Sequence, residues 1–133
     1  MNAVFLDTVG MIALWDNSDQ WHQAAQRAYD GIKQARIPIV TTTYVLLECG
    51  NSGARRSFRP AIAIWREALY QSKAVVDPSR SDLSAAWAAY DRSEAGNAGI
   101  VDQVSFVVMR RLGIRQAFTN DEHFRAAGFE TLF

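Results

Sequence analysis

Five short apolar or β-branched runs recur along the chain: AVFLD (3–7), IPIVT (37–41), AVVD (74–77), AFT (117–119) and ETLF (130–133), with longer stretches of helical period between them. Runs of this length read as strands, and strands separated by helices pair side by side in parallel through crossovers. The pattern therefore predicts an α/β fold with a short, mostly parallel sheet of about five strands flanked by helices. At 133 residues the chain has room for one core and not two, so residues 1–133 are expected to form a single domain.

The intervening segments support this reading. Ser18 is a suitable N-cap for a helix that places Trp21, Ala25, Ala28 and Ile32 on one face. Phe58, Ile62, Trp65 and Leu69 repeat that spacing, as do Leu83, Ala86, Trp87 and Tyr90, and both aromatic stripes are expected in the core. Residues 92–99, RSEAGNAG, read as the clearest loop.

Charge and composition narrow the functions available. Fourteen basic and fourteen acidic residues cancel, so no overall basic field draws in nucleic acid, and any such binding needs local patches or a metal ion. The single cysteine, Cys49, excludes an internal disulfide and reads as a small buried side chain. The N-terminus lacks the features of a signal peptide, and no apolar run approaches the ~20 residues that cross a bilayer, so a soluble, cytoplasmic protein is expected.

Four acids stand where the chain should be burying apolar groups. Asp7 ends the first strand run, Glu48 closes the helical run TTTYVLLE, Asp102 sits in the first turn of the nearly all-apolar helix IVDQVSFVVMRRLG, and Asp121 follows the fourth strand run in AFTNDEHF. Each alone could serve as a cap, a surface group, a dipole partner or a turn former. The carboxyl ends of parallel strands share one edge, however, which brings Asp7 and Asp121 to the same crevice, and helices leaving that edge can bring in the other two. Carboxylates about 4 Å apart repel by on the order of 4 kcal/mol at an intermediate dielectric, a conflict that a divalent cation removes. Oxygen donors without a His and Cys set favour Mg²⁺ or Mn²⁺ over zinc, and such ions support phosphodiester hydrolysis without a covalent nucleophile.

The segments VFLDTVGMIAL, TTTYVLLECGN, GIVDQVSFVVMRRLGI and AFTNDEHFRAAGFETLF together resemble the PIN-domain family of ribonucleases, in particular the VapC-like toxins of bacterial toxin-antitoxin modules. The resemblance spans essentially the whole chain. It implies a three-layer α/β/α PIN-like fold and a metal-dependent endoribonuclease. Carried across residue by residue, it implies that Asp7, Glu48, Asp102 and Asp121 form the metal-binding catalytic site, with Mg²⁺ as the ion and Mn²⁺ as a substitute. Thr119 and Asn120 would then shape the loop that presents Asp121, and Thr8 and Ser105 would bond carboxylates or bound water. The resemblance also implies an RNA substrate, a cognate antitoxin and a homodimer. One departure is that Ala98 and Gly99 stand before the third acid, where many relatives carry a bulky aromatic and a hydroxyl residue, so substrate contacts on that side are expected to differ.

Other residues carry weaker signals. Arg55, Arg56 and Arg59 form the preferred RNA-contact cluster, since guanidinium groups suit phosphates. Arg110, Arg111 and Arg115, beyond the far end of the buried helix, are expected to cap its C-terminus. His123 reads as a packing residue of a short helix, His22 as solvated, Asp77 as a turn former before Pro78, and Glu122 as an outward bystander. A haloacid-dehalogenase-like phosphatase would need a second Asp at position 9, where Val9 stands, and the Gly-rich loop of a phosphate-loop protein is missing. Two alternatives remain: a catalytically silent PIN-like module that binds RNA or protein, and, from the chemistry alone, a structure-specific DNA nuclease.

Overall fold

A computed structural model describes residues 2–133. The elements follow in the order β1 (Val4–Leu6), α1 (Thr8–Trp15), α2 (His22–Gln34), β2 (Ile39–Thr42), α3 (Thr43–Ser52), α4 (Arg59–Gln71) and β3 (Val75–Val76). The second half continues with α5 (Arg80–Asp91), α6 (Glu94–Asn97), α7 (Ile100–Leu112), β4 (Gln116–Phe118), α8 (Glu122–Ala126) and β5 (Glu130–Thr131), where α6 is a single turn with left-handed and not helical backbone at Ala95 and Gly96, in keeping with the loop expected over 92–99. Each strand run read from the sequence contributes a strand. The sheet order is β3-β2-β1-β4-β5, with every pairing among the described residues parallel.

The order reverses at β1. The chain lays β2 and β3 on one side of it and then returns to place β4 and β5 on the other. A crevice opens at such a switch point, at the carboxyl ends of the strands. Val4, Phe5 and Leu6 are fully buried, as expected of a central strand covered on both faces. Phe124 packs edge-on against Phe106 with ring centroids 4.9 Å apart and touches Phe5 at 6.5 Å. Burying each such ring contributes about 2–3 kcal/mol, and the trio fastens α7 and α8 to the sheet directly beneath the segment that carries Asp121. On the other side, Tyr29 joins Trp65 of α4 to Phe118 of β4.

Several expectations need correction. Ser18 does not cap the second helix: it donates its backbone N–H and its hydroxyl to Asp16 Oδ1, at 3.0 and 2.7 Å, forming a turn. A second turn, in which Asp19 accepts from the Trp21 N–H, delays the helix to His22 and leaves Trp21 exposed while Ala25 and Ile32 are buried. His22 is not simply solvated, because its Nδ1 contacts the Ala13 carbonyl oxygen of α1 at 2.9 Å. Trp87 and Tyr90 are not core: α5 buries Ala86 and Ala89 against α7 and leaves the two aromatics about half exposed, edge to face with each other. Glu48 lies within α3 and not at its end, since the helix runs on to Ser52.

The arginines near the end of α7 tie other elements instead of capping their own helix. Arg111 grips Asp82 through Nε and Nη2 at 3.0 and 2.7 Å, and this hydrogen-bonded pairing holds the Asp82 carboxyl below the usual range. Asp82 also closes a capping box with Ser79 at the start of α5, so α5 and α7 are clamped at this end. Arg110 donates to the Ala127 carbonyl oxygen and lies over the Phe129 ring. Helix α7 itself ends at Gly113, whose φ of 69° supplies the left-handed residue that stops a helix.

Gly10 sets how closely α1 approaches β4. A Cβ at this position would fall 1.9 Å from the Phe118 carbonyl oxygen and 2.7 Å from its carbonyl carbon, both backbone atoms that cannot step aside without moving the sheet. Gly10→Ala is therefore expected to destabilise the fold by about 3 kcal/mol or more, at the upper end of overpacking effects. Urea denaturation checks this, and a loss below about 1 kcal/mol would show that α1 can shift freely.

Candidate active site

Asp7 is placed by the shortest local path, as the first residue after β1 and the N-cap of α1, and it is 1% exposed. Its side chain turns to β4, where the Thr119 hydroxyl donates to Oδ2 at 2.9 Å. The same Thr119 oxygen accepts the backbone N–H of Asp121 at 3.1 Å. One hydroxyl thus locks together the ends of the two strands that flank the switch point. Thr41 does similar work on the other flank, donating to the Leu6 carbonyl oxygen at 2.8 Å.

Glu48 reaches the crevice because α3 starts where β2 ends. Thr42 caps it by accepting from the Val45 N–H at 3.2 Å, and the helix packs against α1 and α7. Asp102 arrives from the opposite side, in the first turn of α7, where the positive helix end partly compensates its charge. Asp121 caps α8, with Oδ1 accepting the His123 N–H at 2.9 Å and His123 Nδ1 lying 2.8 Å from the same oxygen.

The acids feel one another. Burial pushes the Asp7 carboxyl up to about 8, reinforced by the charges of Asp102, Asp121 and Glu48 and opposed by the Thr119 hydrogen bond. Asp102 is pushed up to about 7, again by burial first and then by Asp121 and Glu48, with His123 pulling the other way. The hydrogen bond to Asp121 raises the His123 imidazole in turn. Ligand atoms of Asp102, Asp121 and His123 lie within 4.8 Å of one another. Asp7 and Glu48 lie within the electrostatic reach of Asp102 and Asp121, while the ligand atoms gathered most closely are those of Asp102, Asp121 and a histidine that sequence reasoning set aside.

Other named residues are placed differently. Ser105 is buried, but its hydroxyl returns to the Val101 carbonyl oxygen at 3.1 Å within α7 and does not serve the carboxylates. The Thr8 hydroxyl is buried and faces the thiol of Cys49, whose proton affinity it lowers, and not a carboxylate. Burial pushes that thiol up to about 12, which makes it a packing group and not a nucleophile. Asn120 is half-buried between Thr119 and Asp121, and its carbonyl oxygen faces Arg125 at 3.5 Å. Glu122 is exposed, and Asp77 accepts from Thr43 at the start of α3.

Of the three arginines after α3, Arg56 is already paired with Asp16 at 2.6 Å and lies over Phe58, while Arg59 donates to the Ala54 carbonyl oxygen. Arg55 and Arg59 keep exposed guanidinium groups.

The donor set suits a divalent cation. Carboxylates dominate it, and two of them have raised proton affinities. A doubly charged ion would reverse the repulsion that now favours protons on Asp7 and Asp102. Hard oxygen ligands of this kind hold Mg²⁺-like ions in nucleases and phosphatases.

The comparisons with known proteins agree with this geometry. The sequence model of the PIN domain family matches residues 4–130. The 23S rRNA-specific endonuclease VapC20 of Mycobacterium tuberculosis, from strain CDC 1551 / Oshkosh and from strain ATCC 25618 / H37Rv, is 34% identical over 129 residues, covering 95% of this chain and 95% of the relative. The crystal structure of Mycobacterium tuberculosis VapC20, described as a sarcin-ricin loop cleaving toxin, superposes with a TM-score of 0.79 at 30% identity over 96% of both chains. With its sheet order, its convergent acids and these full-length matches, the chain belongs to the PIN-domain family.

Proposed function

We propose that this protein is a Mg²⁺-dependent endoribonuclease that hydrolyses RNA phosphodiester bonds as the toxin of a type II toxin-antitoxin pair. The convergence of Asp7, Glu48, Asp102 and Asp121 at the switch point carries the reading, because a silent scaffold gains nothing from mutually repelling acids. The rRNA endonuclease activity in the name of its relative supports the substrate class and makes an rRNA stem-loop the first substrate to try. The cytoplasm, where such RNA lies, is the compartment this function requires. Among the described residues no helix is long and apolar enough to cross a membrane.

Asp7 and Asp102 would hold the ion, Asp121 would complete its ligand set, and Mn²⁺ would substitute for Mg²⁺. When bound, such an ion supplies a Lewis acid that eases deprotonation of water and offsets charge at phosphorus. Thr119 donates to Oδ2 of Asp7, so Oδ1 would be the oxygen offered to the ion. Glu48, whose charge acts on Asp102, would orient the attacking water and accept its proton. Arg55 and Arg59 would guide the RNA backbone to the crevice.

Partners follow from the same reading. A cognate antitoxin would block the acids, using a basic residue to replace the metal charge. A homodimer is supported by the apolar hollow of about 210 Å³ between Tyr44, Leu83, Trp87 and Ile100, beside the exposed Tyr90.

Asp7→Asn is expected to abolish Mg²⁺-stimulated RNA cleavage, by at least about a hundredfold, while making the metal-free protein more stable. The sign follows from linkage: Asp7 and Asp102 bind protons more tightly folded than unfolded, so their contribution to stability is complete below about pH 4 and is lost as pH rises towards 7–8. At pH 8 without metal, the variant should therefore melt about 5 °C higher than wild type. Full activity in the variant sinks the assignment of Asp7.

Metal affinity should fall in the same window. Between pH 8 and pH 6 protons reclaim Asp7 and Asp102, and calorimetric Mg²⁺ affinity is expected to drop at least about tenfold, with proton release on binding. A pH-independent affinity means the ion binds elsewhere. The double variant Arg55→Ala/Arg59→Ala should raise KM for RNA about tenfold with kcat nearly unchanged and should flatten the salt dependence of binding. An unchanged KM would assign the two arginines to solvent.

A further inference from the structure

The scheme above makes no use of His123, although its ring stands among the acids and is only about one-third exposed. Both of its polar contacts to Asp121 converge on one atom. Its own N–H reaches Oδ1 at 2.9 Å and its Nδ1 reaches the same oxygen at 2.8 Å. A carboxylate only accepts, so Nδ1 carries the hydrogen and has no lone pair to offer an ion. Two donors on Oδ1 fix the rotation of the carboxylate and leave Oδ2 as the oxygen that can ligate.

The ring is backed from behind by an unusual segment. Ser93, Ala95, Gly96 and Asn97 have φ values of 56°, 55°, 67° and 62°, a left-handed run in which three residues are not glycine. Ser93 and Ala95 each cost about 1 kcal/mol or more in this region, which asparagine tolerates better, so surrounding contacts must hold the segment in place. Gln103, buried beside Asp102 on α7, does so by donating to the carbonyl oxygens of Glu94 at 2.9 Å and Ala98 at 3.5 Å. The Gly96 backbone then lies against the imidazole, such that a Cβ on Gly96 would sit 3.7 Å from His123 Cδ2. A connected path runs from the strained loop through His123 to Asp121, Thr119 and Asp7.

We propose that His123 is a positioning residue, held between the 93–97 loop and Asp121, that fixes Oδ1 of Asp121 and thereby presents Oδ2 to the metal ion. This rests on the nuclease reading. The role is that of an outer partner which orients a ligand, a contact whose loss typically lowers metal affinity or activity by about 10–100-fold.

Three substitutions separate this role from its rivals. In His123→Asn the side-chain amide nitrogen lies near the place of Nδ1 and can still donate to Asp121, whereas in His123→Gln it reaches towards the place of Nε2 and cannot. His123→Ala removes both, and the backbone N–H bond persists in all three. Mn²⁺ affinity by calorimetry and the Mg²⁺ concentration for half-maximal RNA cleavage are measured for each, with thermal melts to confirm folding.

The Ala and Gln variants should bind Mn²⁺ about tenfold or more weakly and need correspondingly more Mg²⁺, with KM for RNA unchanged, while Asn stays within about threefold of wild type. Gln matching or exceeding Asn, all three falling equally, or Ala matching wild type would each overturn the proposal. If Ala does not fold, the comparison of Asn with Gln decides. A wild type that binds Mn²⁺ but cleaves no RNA sinks the nuclease reading, and the calorimetric ranking still tests His123.

Discussion

The carboxyl of Asp7, buried and crowded by other acids, is the group around which the rest is arranged. It sits at the end of a strand whose residues are all fully buried, 1% exposed, within the fields of three other acids. One hydroxyl hydrogen bond opposes that combination without cancelling it, which is why the group holds its proton to about pH 8. A fold does not keep such a group for its own stability, since burying an unpaired charge costs several kcal/mol. The compensation has to come from outside the chain, and the geometry fits a doubly charged ion.

The fold supplies what that arrangement needs, which is rigidity from several directions. Gly10 lets α1 press against the β4 backbone, so that Asp7 and Thr119 meet at hydrogen-bond distance. The Phe106, Phe124 and Phe5 rings anchor α7 and α8 beneath Asp102 and Asp121, and the Arg111–Asp82 clamp ties α7 to α5 at its other end. Helix α3 enters at the carboxyl end of β2 under a Thr42 cap, which carries Glu48 inward within two turns. Four acids far apart in sequence are held by four different elements, and displacing any one of those elements moves a single carboxylate relative to the other three.

What could be read from the sequence follows a physical rule. Strand ends were legible because topology alone puts them at one edge, which located Asp7 and Asp121. Asp102 was legible because a carboxylate in an apolar helix is an anomaly. Local chemistry with competing solutions was not. Ser18 looked like a cap, but Asp16 and Asp19 form turns with the same donors and postpone the helix. Trp87 and Tyr90 keep a helical period that says which face they share, not whether that face is covered. Ser105 had a nearer acceptor in its own helix than any carboxylate. Arg111 pairs with a residue twenty-nine positions away, a contact that no local pattern records.

His123 was missed for a related reason, and it shows where the information lies. The sequence DEHF reads as the first turn of a helix, and α8 is such a turn, so a packing role was a sufficient account. The ring became significant only through the loop behind it, and that loop carries little sequence signature: one glycine and one asparagine beside a serine and an alanine that seldom adopt positive φ. A left-handed path through Ser93, Ala95 and Asn97 persists because the surrounding structure imposes it, here through Gln103, the residue next to the third acid. Strain stored beside the acids and rigidity demanded of them thus have a common origin in the first turn of α7, where Asp102 lies in the field of the other acids and its neighbour Gln103 holds the loop that backs His123.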